Sequence, residues 1–251
     1  MTISQYLKEY GFEPAVNNPI LYRLKKRGIF SNLFFGLSRL LGRAPFELFK
    51  GRFFNDASSR LVETPFLFTN LPKQQNMNIL DFGANESYHP IYLAHMGHKV
   101  TGYDLADYPF SHSNLKSIKG NFLDNTIKSN SFDVSIAISA IEHCGLESYD
   151  SPVFSDGDLK IMKEIIRVTK KGGLIIVTVP FGYRNKDSFQ RIYDTKALND
   201  LLQGLTIVEE KYYKRNQEQT QWDEVSKLDA EFIEYIPERI SDGLACVVCQ
   251  K

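Results

Sequence analysis

The stretch Asn78-Ile-Leu-Asp-Phe-Gly-Ala-Asn-Glu-Ser87 reads as an apolar strand that ends in an acid and a glycine. A second strand that also ends in an acid, Lys99-Val-Thr-Gly-Tyr-Asp104, follows about twenty residues later. In a doubly wound sheet the first strand stops at a tight turn where only glycine lets a ligand approach the backbone. The acid closing the second strand then reaches a ribose diol. The pair predicts a nucleoside-binding edge.

Which nucleoside depends on the glycines. A dinucleotide pocket calls for G-x-G-x-x-G, because the later glycines admit a pyrophosphate and bring the helix close to the strand. Here Gly83 is followed by Asn85 and Tyr88 at those places. S-adenosylmethionine (SAM) carries no phosphate, so one indispensable glycine with small polar neighbours suffices, and the motif favours SAM over NAD. A nicotinamide-dependent reductase of the short-chain type would also need a Tyr-x-x-x-Lys pair after the central strands. The spacing occurs only at Tyr22 to Lys26, ahead of the nucleotide motif.

Asp81-Phe-Gly83-Ala-Asn85-Glu-Ser87 resembles the first motif of the class I SAM-dependent methyltransferases, D/E-x-G-x-G-x-G, with two glycines replaced. The resemblance continues through Gly120-Asn-Phe-Leu-Asp124, Ser131-Phe-Asp-Val-Ser-Ile-Ala-Ile-Ser-Ala-Ile-Glu-His143 and Lys171-Gly-Gly-Leu-Ile-Ile-Val-Thr-Val-Pro180. These stand in the family's order and approximate spacing, over residues 77 to 212. The resemblance implies an α/β fold, a doubly wound, mostly parallel, seven-stranded Rossmann-like sheet. Ser139-Ala-Ile-Glu-His143, Asp156-Gly-Asp-Leu159 and Arg191-Ile-Tyr-Asp194 look like methyltransferase-like proteins of which some are linked to surface polysaccharide synthesis. That implies a sugar or sugar phosphate acceptor.

Composition fits one catalytic domain with attachments. The chain has 251 residues, 43% of them hydrophobic, with 30 Lys+Arg against 30 Asp+Glu. Balanced charge gives no global argument for a nucleic-acid or membrane partner, and no Asn-Pro-Pro-Tyr or Asp-Pro-Pro-Tyr target-base motif is present. There is neither a leader pattern nor an apolar run long enough to span a bilayer, so a cytoplasmic protein is expected. Three cysteines, Cys144, Cys246 and Cys249, cannot build a disulfide framework. Cys246-Val-Val-Cys249 has C-x-x-C spacing but lies in an apolar run that reads as a buried strand, so no zinc or redox site is expected.

Strands are predicted near 77–82, 99–104, 116–119, 132–138, 174–179, 205–212 and 243–249. Ser155-Asp-Gly-Asp158 has capping-box spacing before the amphipathic run Leu159 to Val168, and Lys170, Lys171 and Gly172 read as that helix's end. The same box accounts for Asp156 and Asp158 without Mg²⁺. Residues 105–116 and 121–131 are too short or too rich in turn formers for full crossover helices. The predicted organisation is an N-terminal helical cap or lid over 1–72 and a SAM-binding domain over 73–251. An insertion at about 214–242 belongs to the second unit and reads as an ordered flap. Within the cap, residues 21–53 hold eight Lys and Arg against Glu47, interleaved with Leu and Phe. Such a segment can lie on an anionic membrane, but Gly28, Gly42 and Pro45 divide it, which favours a packed cap.

For the cofactor, Asp81 and Gly83 are expected at the first strand's tip, with Ala84, Asn85 and Ser87 wrapping the methionine end and Asp104 on the ribose. Asn121 stands where the family often has an acid for the adenine amino group. Phe122 either packs on adenine or enters the core, and Ser139 borders the methionyl group. Methyl transfer is an in-line displacement on an activated sulfonium, so most of its acceleration comes from alignment. A hydroxyl acceptor additionally needs a base. His143, after the fourth strand, is the first candidate. Glu142 reads as a base, an amine clamp or a helix-start acid, and His89 is a second candidate base. Arg191 is placed to pair a phosphate or carboxylate, and Tyr193 to bind hydroxyls or join a helix cap. The expected partner is a small polar acceptor, methylated at oxygen rather than nitrogen. The rival from another class is a non-catalytic SAM-fold scaffold or partner subunit, supported by the two replaced glycines.

Overall fold

The computed structural model describes residues 58–85, 87–147, 153–236 and 241–251; the basic stretch 21–53 lies outside them. The first described helix, α1 (Arg60–Asn70), precedes β1 (Asn78–Phe82), α2 (His89–His95), β2 (Lys99–Asp104), β3 (Leu115–Lys119) and β4 (Phe132–Ile138). Then come α3 (Gly157–Val168), β5 (Thr169–Pro180), the short strands β6 (Asn185–Lys186) and β7 (Arg191–Ile192), and α4 (Thr195–Leu201). The chain ends with β8 (Thr206–Arg215), β9 (Trp222–Val225), α5 (Lys227–Glu231) and β10 (Gly243–Gln250). The main sheet has the order β3-β2-β1-β4-β5-β10-β8-β9. Strands β1 to β5 pair in parallel and β10 inserts antiparallel between β5 and β8.

The central strands are apolar at consecutive positions because both faces are covered. Along β1, Ile79 faces a layer with Phe66 and Leu67 of α1 and Leu93 and Ala94 of α2. Its neighbours Leu80 and Phe82 face the opposite layer, with Ile161, Met162 and Ile165 of α3 and Leu198 of α4. The period of two continues in β5, where Ile176 joins the first layer and Ile175 and Val177 the second. The same alternation separates Cys246 from Cys249, which enter opposite layers. Their C-x-x-C spacing therefore points the two sulfurs apart.

Residues 105–114 carry no helix, and a single 3-10 turn, Phe122–Asp124, occupies the β3 to β4 connection, as the turn-forming composition led us to expect. Three expectations are corrected. The sheet has eight strands rather than seven, because the 214–242 connection contributes β9, which pairs antiparallel with Tyr212–Arg215 of β8. The start of α3 has no capping box: Asp156 makes no capping bond and instead pairs with Lys160 at 3.1 Å, while Asp158 turns inward. Finally, α3 does not end on Gly172. Thr169 closes it by donating its hydroxyl to the Ile165 carbonyl at 2.7 Å, and the chain passes straight into β5.

Candidate functional site

The carboxyl ends of the parallel strands carry the candidate residues, as the topology requires of an open α/β sheet. At the tip of β1 the chain turns at Gly83, whose φ is +76°. A Cβ there would lie 2.5 Å from the Cβ of Ala140, so both the conformation and the space exclude any larger residue. The turn is pinned by Gly83 N donating to the Tyr103 carbonyl at 2.9 Å. Beside it Asp81 is buried, and its Oδ2 has no hydrogen-bond partner among the described residues. Burial pushes its carboxyl well above the usual range; Arg60 opposes this and Asp104 adds to it.

Asp104, at the tip of β2, accepts from Asn85 N on Oδ2 and from Ala106 N on Oδ1, each at 2.9 Å. Its carboxylate thus shapes both loops. Ala84 is buried, and the Ser87 carbonyl accepts from the Tyr108 hydroxyl at 2.8 Å. Asn121 caps the 3-10 turn, its side chain accepting from Leu123 N and donating to Asp124, both at 3.1 Å. Of the two readings of Phe122 the structure realises the core one: the ring lies 5.1 Å from that of Phe82 and 4.9 Å from that of Tyr103.

Helix α1 supplies two site residues that sequence reading missed. Glu63 is fully buried and accepts from the hydroxyls of Ser59 (2.9 Å), Thr178 (2.6 Å) and Ser139. It also pairs with Arg60 at 3.0 Å. Burial alone would raise its carboxyl, but the Arg60 charge and the three hydroxyls together hold it below the ordinary value. This knot ties α1 to the ends of β4 and β5. It also holds Ser139 at φ +45°, a conformation that a non-glycine residue keeps only when its surroundings enforce it. Arg60 donates as well to the Ile138 carbonyl at 3.2 Å. The signal for Glu63 was present in the sequence: an acid three and four positions before Phe66 and Leu67, on the helix's apolar face.

His89 does not enter the site as a base. One ring nitrogen bonds Thr64 Oγ1 at 3.0 Å and the other Ser87 Oγ at 2.8 Å. Burial, reinforced by the Arg60 charge, lowers its pKa to about 4. It pegs the Ser87 loop to α1. Arg191 and Tyr193 are likewise internal. The Arg191 guanidinium donates to the carbonyls of Glu142 (3.2 Å), Cys144 (2.6 Å) and Ser155 (3.3 Å) and lies 3.5 Å from Asp158. The Tyr193 hydroxyl donates to Asp158 at 2.9 Å. Arg191 thus braces the 141–145 segment and Tyr193 holds Asp158 beside it, both side chains being buried.

Glu142 and His143 follow β4 on the 3-10 turn Ile141–His143. The Glu142 Oε2 has no hydrogen-bond partner among the described residues, and burial pushes its carboxyl up to about 8. His143 lies with Nε2 3.7 Å from Glu142 Oε1, and its Nδ1 bonds the Phe189 carbonyl at 2.6 Å. Burial lowers its pKa to about 4, against the Phe189 hydrogen bond. Burial thus disfavours charge on both members of the pair, which favours a neutral imidazole beside a protonated acid at neutral pH.

A model of the family described as a Caenorhabditis protein of unknown function, DUF268, matches residues 112–234. No curated protein matches the chain. Among solved structures it is similar to a SAM-dependent methyltransferase from Mesorhizobium loti, at 14% identity over 75% of this chain and 97% of that one, with a TM-score of 0.53. It is similar also to a 1,6-didemethyltoxoflavin-N1-methyltransferase from Burkholderia thailandensis bound to S-adenosylhomocysteine. There the identity is 14% over 76% of this chain and 75% of that one, with a TM-score of 0.50. A third, the [4+2]-cyclase SpnF, has 16% identity over 76% of this chain and 80% of that one, with a TM-score of 0.51. The chain therefore has the class I SAM-dependent methyltransferase fold.

Proposed function

We propose that this protein is a SAM-dependent methyltransferase acting on a hydroxyl of a small polar acceptor. The observation that carries the reading is the Gly83 turn, which any side chain would block, set beside a buried Asp81 carboxyl oxygen that lacks a partner. An orphaned buried carboxyl is costly in isolation and is matched by a cationic ligand group. The α-ammonium of SAM suits it. Asp81 would hold that ammonium, residues 83–85 the methionyl tail by their backbone, and Asp104 the ribose hydroxyls. When bound, SAM supplies an electrophilic methyl on a sulfonium.

His143 would take the acceptor's proton on Nε2 as the acceptor oxygen gains the methyl, so the ring carries the charge that the sulfonium loses. A hydroxyl acceptor suits this neutral base better than an amine, which already has a nucleophilic lone pair when deprotonated. With the Arg191 guanidinium engaged on carbonyls, a neutral sugar hydroxyl fits this reading better than a sugar phosphate. Residues 1–72 are proposed as a cap on a domain beginning near residue 73, and a cytoplasmic location accords with this reading. No helix among the described residues is long and apolar enough to cross a membrane.

The test is a calorimetric titration with SAM and, in parallel, NADH, followed by acceptor screening for S-adenosylhomocysteine release. SAM binding without NADH binding is expected, and Asp104→Ala should weaken it by at least ~10-fold. Unchanged affinity in that variant would remove the ribose contact. Absence of SAM binding would instead favour a non-catalytic scaffold.

A further inference from the structure

The ring of His143 is oriented by a hairpin that the proposed reaction does not otherwise use. Strands β6 and β7 pair Asn185 with Ile192 and Lys186 with Arg191, leaving Asp187 to Gln190 as the turn. The Asp187 carboxylate organises that turn: its Oδ1 accepts from Phe189 N and from Gln190 N, each at 2.7 Å. Asp187 N in turn donates to the Gln190 carbonyl at 3.1 Å. The turn so formed aims the Phe189 carbonyl at His143 Nδ1 and lays the Phe189 ring 4.5 Å from the imidazole.

The other carboxylate oxygen, Oδ2, accepts from the Tyr235 hydroxyl. Tyr235 belongs to the long connection between β8 and β10, which is docked on the same loop. The Ile233 carbonyl accepts from Tyr183 N at 2.9 Å, and the rings of Tyr183 and Phe232 meet edge to face at 6.1 Å. A continuous chain thus runs from the 226–236 segment through Tyr235, Asp187 and Phe189 to His143. Arg191, in β7 of the same hairpin, holds the carbonyls flanking His143, so the hairpin fixes both the backbone and the ring. Asp187, Glu142, Arg60 and Arg191 are the charged groups acting on the ring.

A backbone carbonyl only accepts hydrogen bonds. The hydrogen must therefore sit on Nδ1, and the lone pair on Nε2. This is not the tautomer that free imidazole side chains prefer, so the protein has to impose it, and which nitrogen is protonated is set by the bond the other makes. We infer that Asp187 and Tyr235 are positioning residues that lock His143 in the Nδ1–H tautomer and so make Nε2 its proton acceptor. The inference rests on the proposed reaction for the use of Nε2, but the tautomer itself is measurable without any acceptor.

The experiment is nitrogen-15 NMR of the five imidazoles in the full chain, with His143 assigned by loss of its signals in His143→Gln. Wild type should show His143 as a single neutral Nδ1–H tautomer from pH 5.5 to 8. Tyr235→Phe, which keeps the ring and removes the hydroxyl, should admit the Nε2–H form, and Asp187→Asn should admit more of it. An Nε2–H tautomer in wild type overturns the inference. So does a tautomer unmoved in both variants, or in Asp187→Asn alone where Tyr235→Phe does not fold. SAM titration of the same samples separates the two claims. Intact SAM affinity with an unmoved tautomer defeats only the positioning role, whereas an imposed tautomer without SAM binding defeats only the cofactor reading. Once an acceptor is found, Tyr235→Phe should lower kcat by ~10-fold with KM for SAM within about twofold, a fraction of what a general base contributes.

Discussion

Glu63 offers the sharpest test of how the site is assembled. Its carboxylate is fully buried and gathers Ser59, Ser139, Thr178 and Arg60. Glu63→Ala leaves the Ser139 and Thr178 hydroxyls without their acceptor and Arg60 without its carboxylate. Hydrogen bonds to a charged group contribute about 1.5–3 kcal/mol each, while the Arg60 side chain is 29% exposed and its share is reduced by solvent. Breaking a buried charge network by removing one partner costs about 3–5 kcal/mol. For a chain of this length that lowers Tm by on the order of 10 °C. Glu63→Gln keeps one acceptor oxygen and should lose about half as much.

The pH dependence has a definite sign. The folded carboxyl lies below its ordinary value of 4.5, so its contribution is fully present above pH 4.5 and is lost as pH falls through the folded pKa. Wild type and Glu63→Ala should therefore differ most near neutrality and converge in acid. Thermal unfolding followed by circular dichroism at pH 7 and at pH 4 measures both effects. A Tm change under 2 °C at neutral pH, or a gap that widens in acid, would refute the claim that this carboxylate ties α1 to the sheet.

Two further predictions follow from the site. Gly83→Ala should cost about 2–4 kcal/mol from overpacking against Ala140 and from a non-glycine residue at positive φ, and should abolish SAM binding. Adding Ala140→Gly should return the steric part and leave the conformational part of about 1–2 kcal/mol; strictly additive losses in denaturant unfolding would show that the 2.5 Å approach is not the cause. Glu142 has a folded pKa of about 8 against 4.5 in the unfolded chain. The unfolded state therefore releases that proton first, and stability falls between those pH values. Glu142→Gln should stabilise the protein by up to ~3–5 kcal/mol at pH 8 and by nothing at pH 4; equal gains at both pH values would contradict the buried, protonated acid.

The sequence carried the sheet because its signals are local. An apolar run ending at Asp81 and Gly83, another at Asp104 and the Ile136 and Ile176 strands each declare themselves within ten residues, and crossover rules then leave few topologies. It also placed Asp81, Gly83, Asp104, Glu142 and His143 together at the strand ends, because parallel strands share one carboxyl edge. Side-chain direction lay beyond it. Arg191 and Tyr193 were read as facing a substrate, whereas Asp158 and the carbonyls of 142–144, brought up by α3 and the turn after β4, draw them inward. His89 was a candidate base until Thr64 of α1 took one of its nitrogens. Partners such as Glu63 with Thr178, 115 residues away, or Tyr235 with Asp187, 48 residues away, leave no mark in spacing. What the chain determined by itself was which residues end the strands. Which of those residues can face a ligand was decided only when distant hydroxyls, carbonyls and carboxylates competed for them, since a buried polar group is satisfied by whatever the fold sets within 3 Å of it.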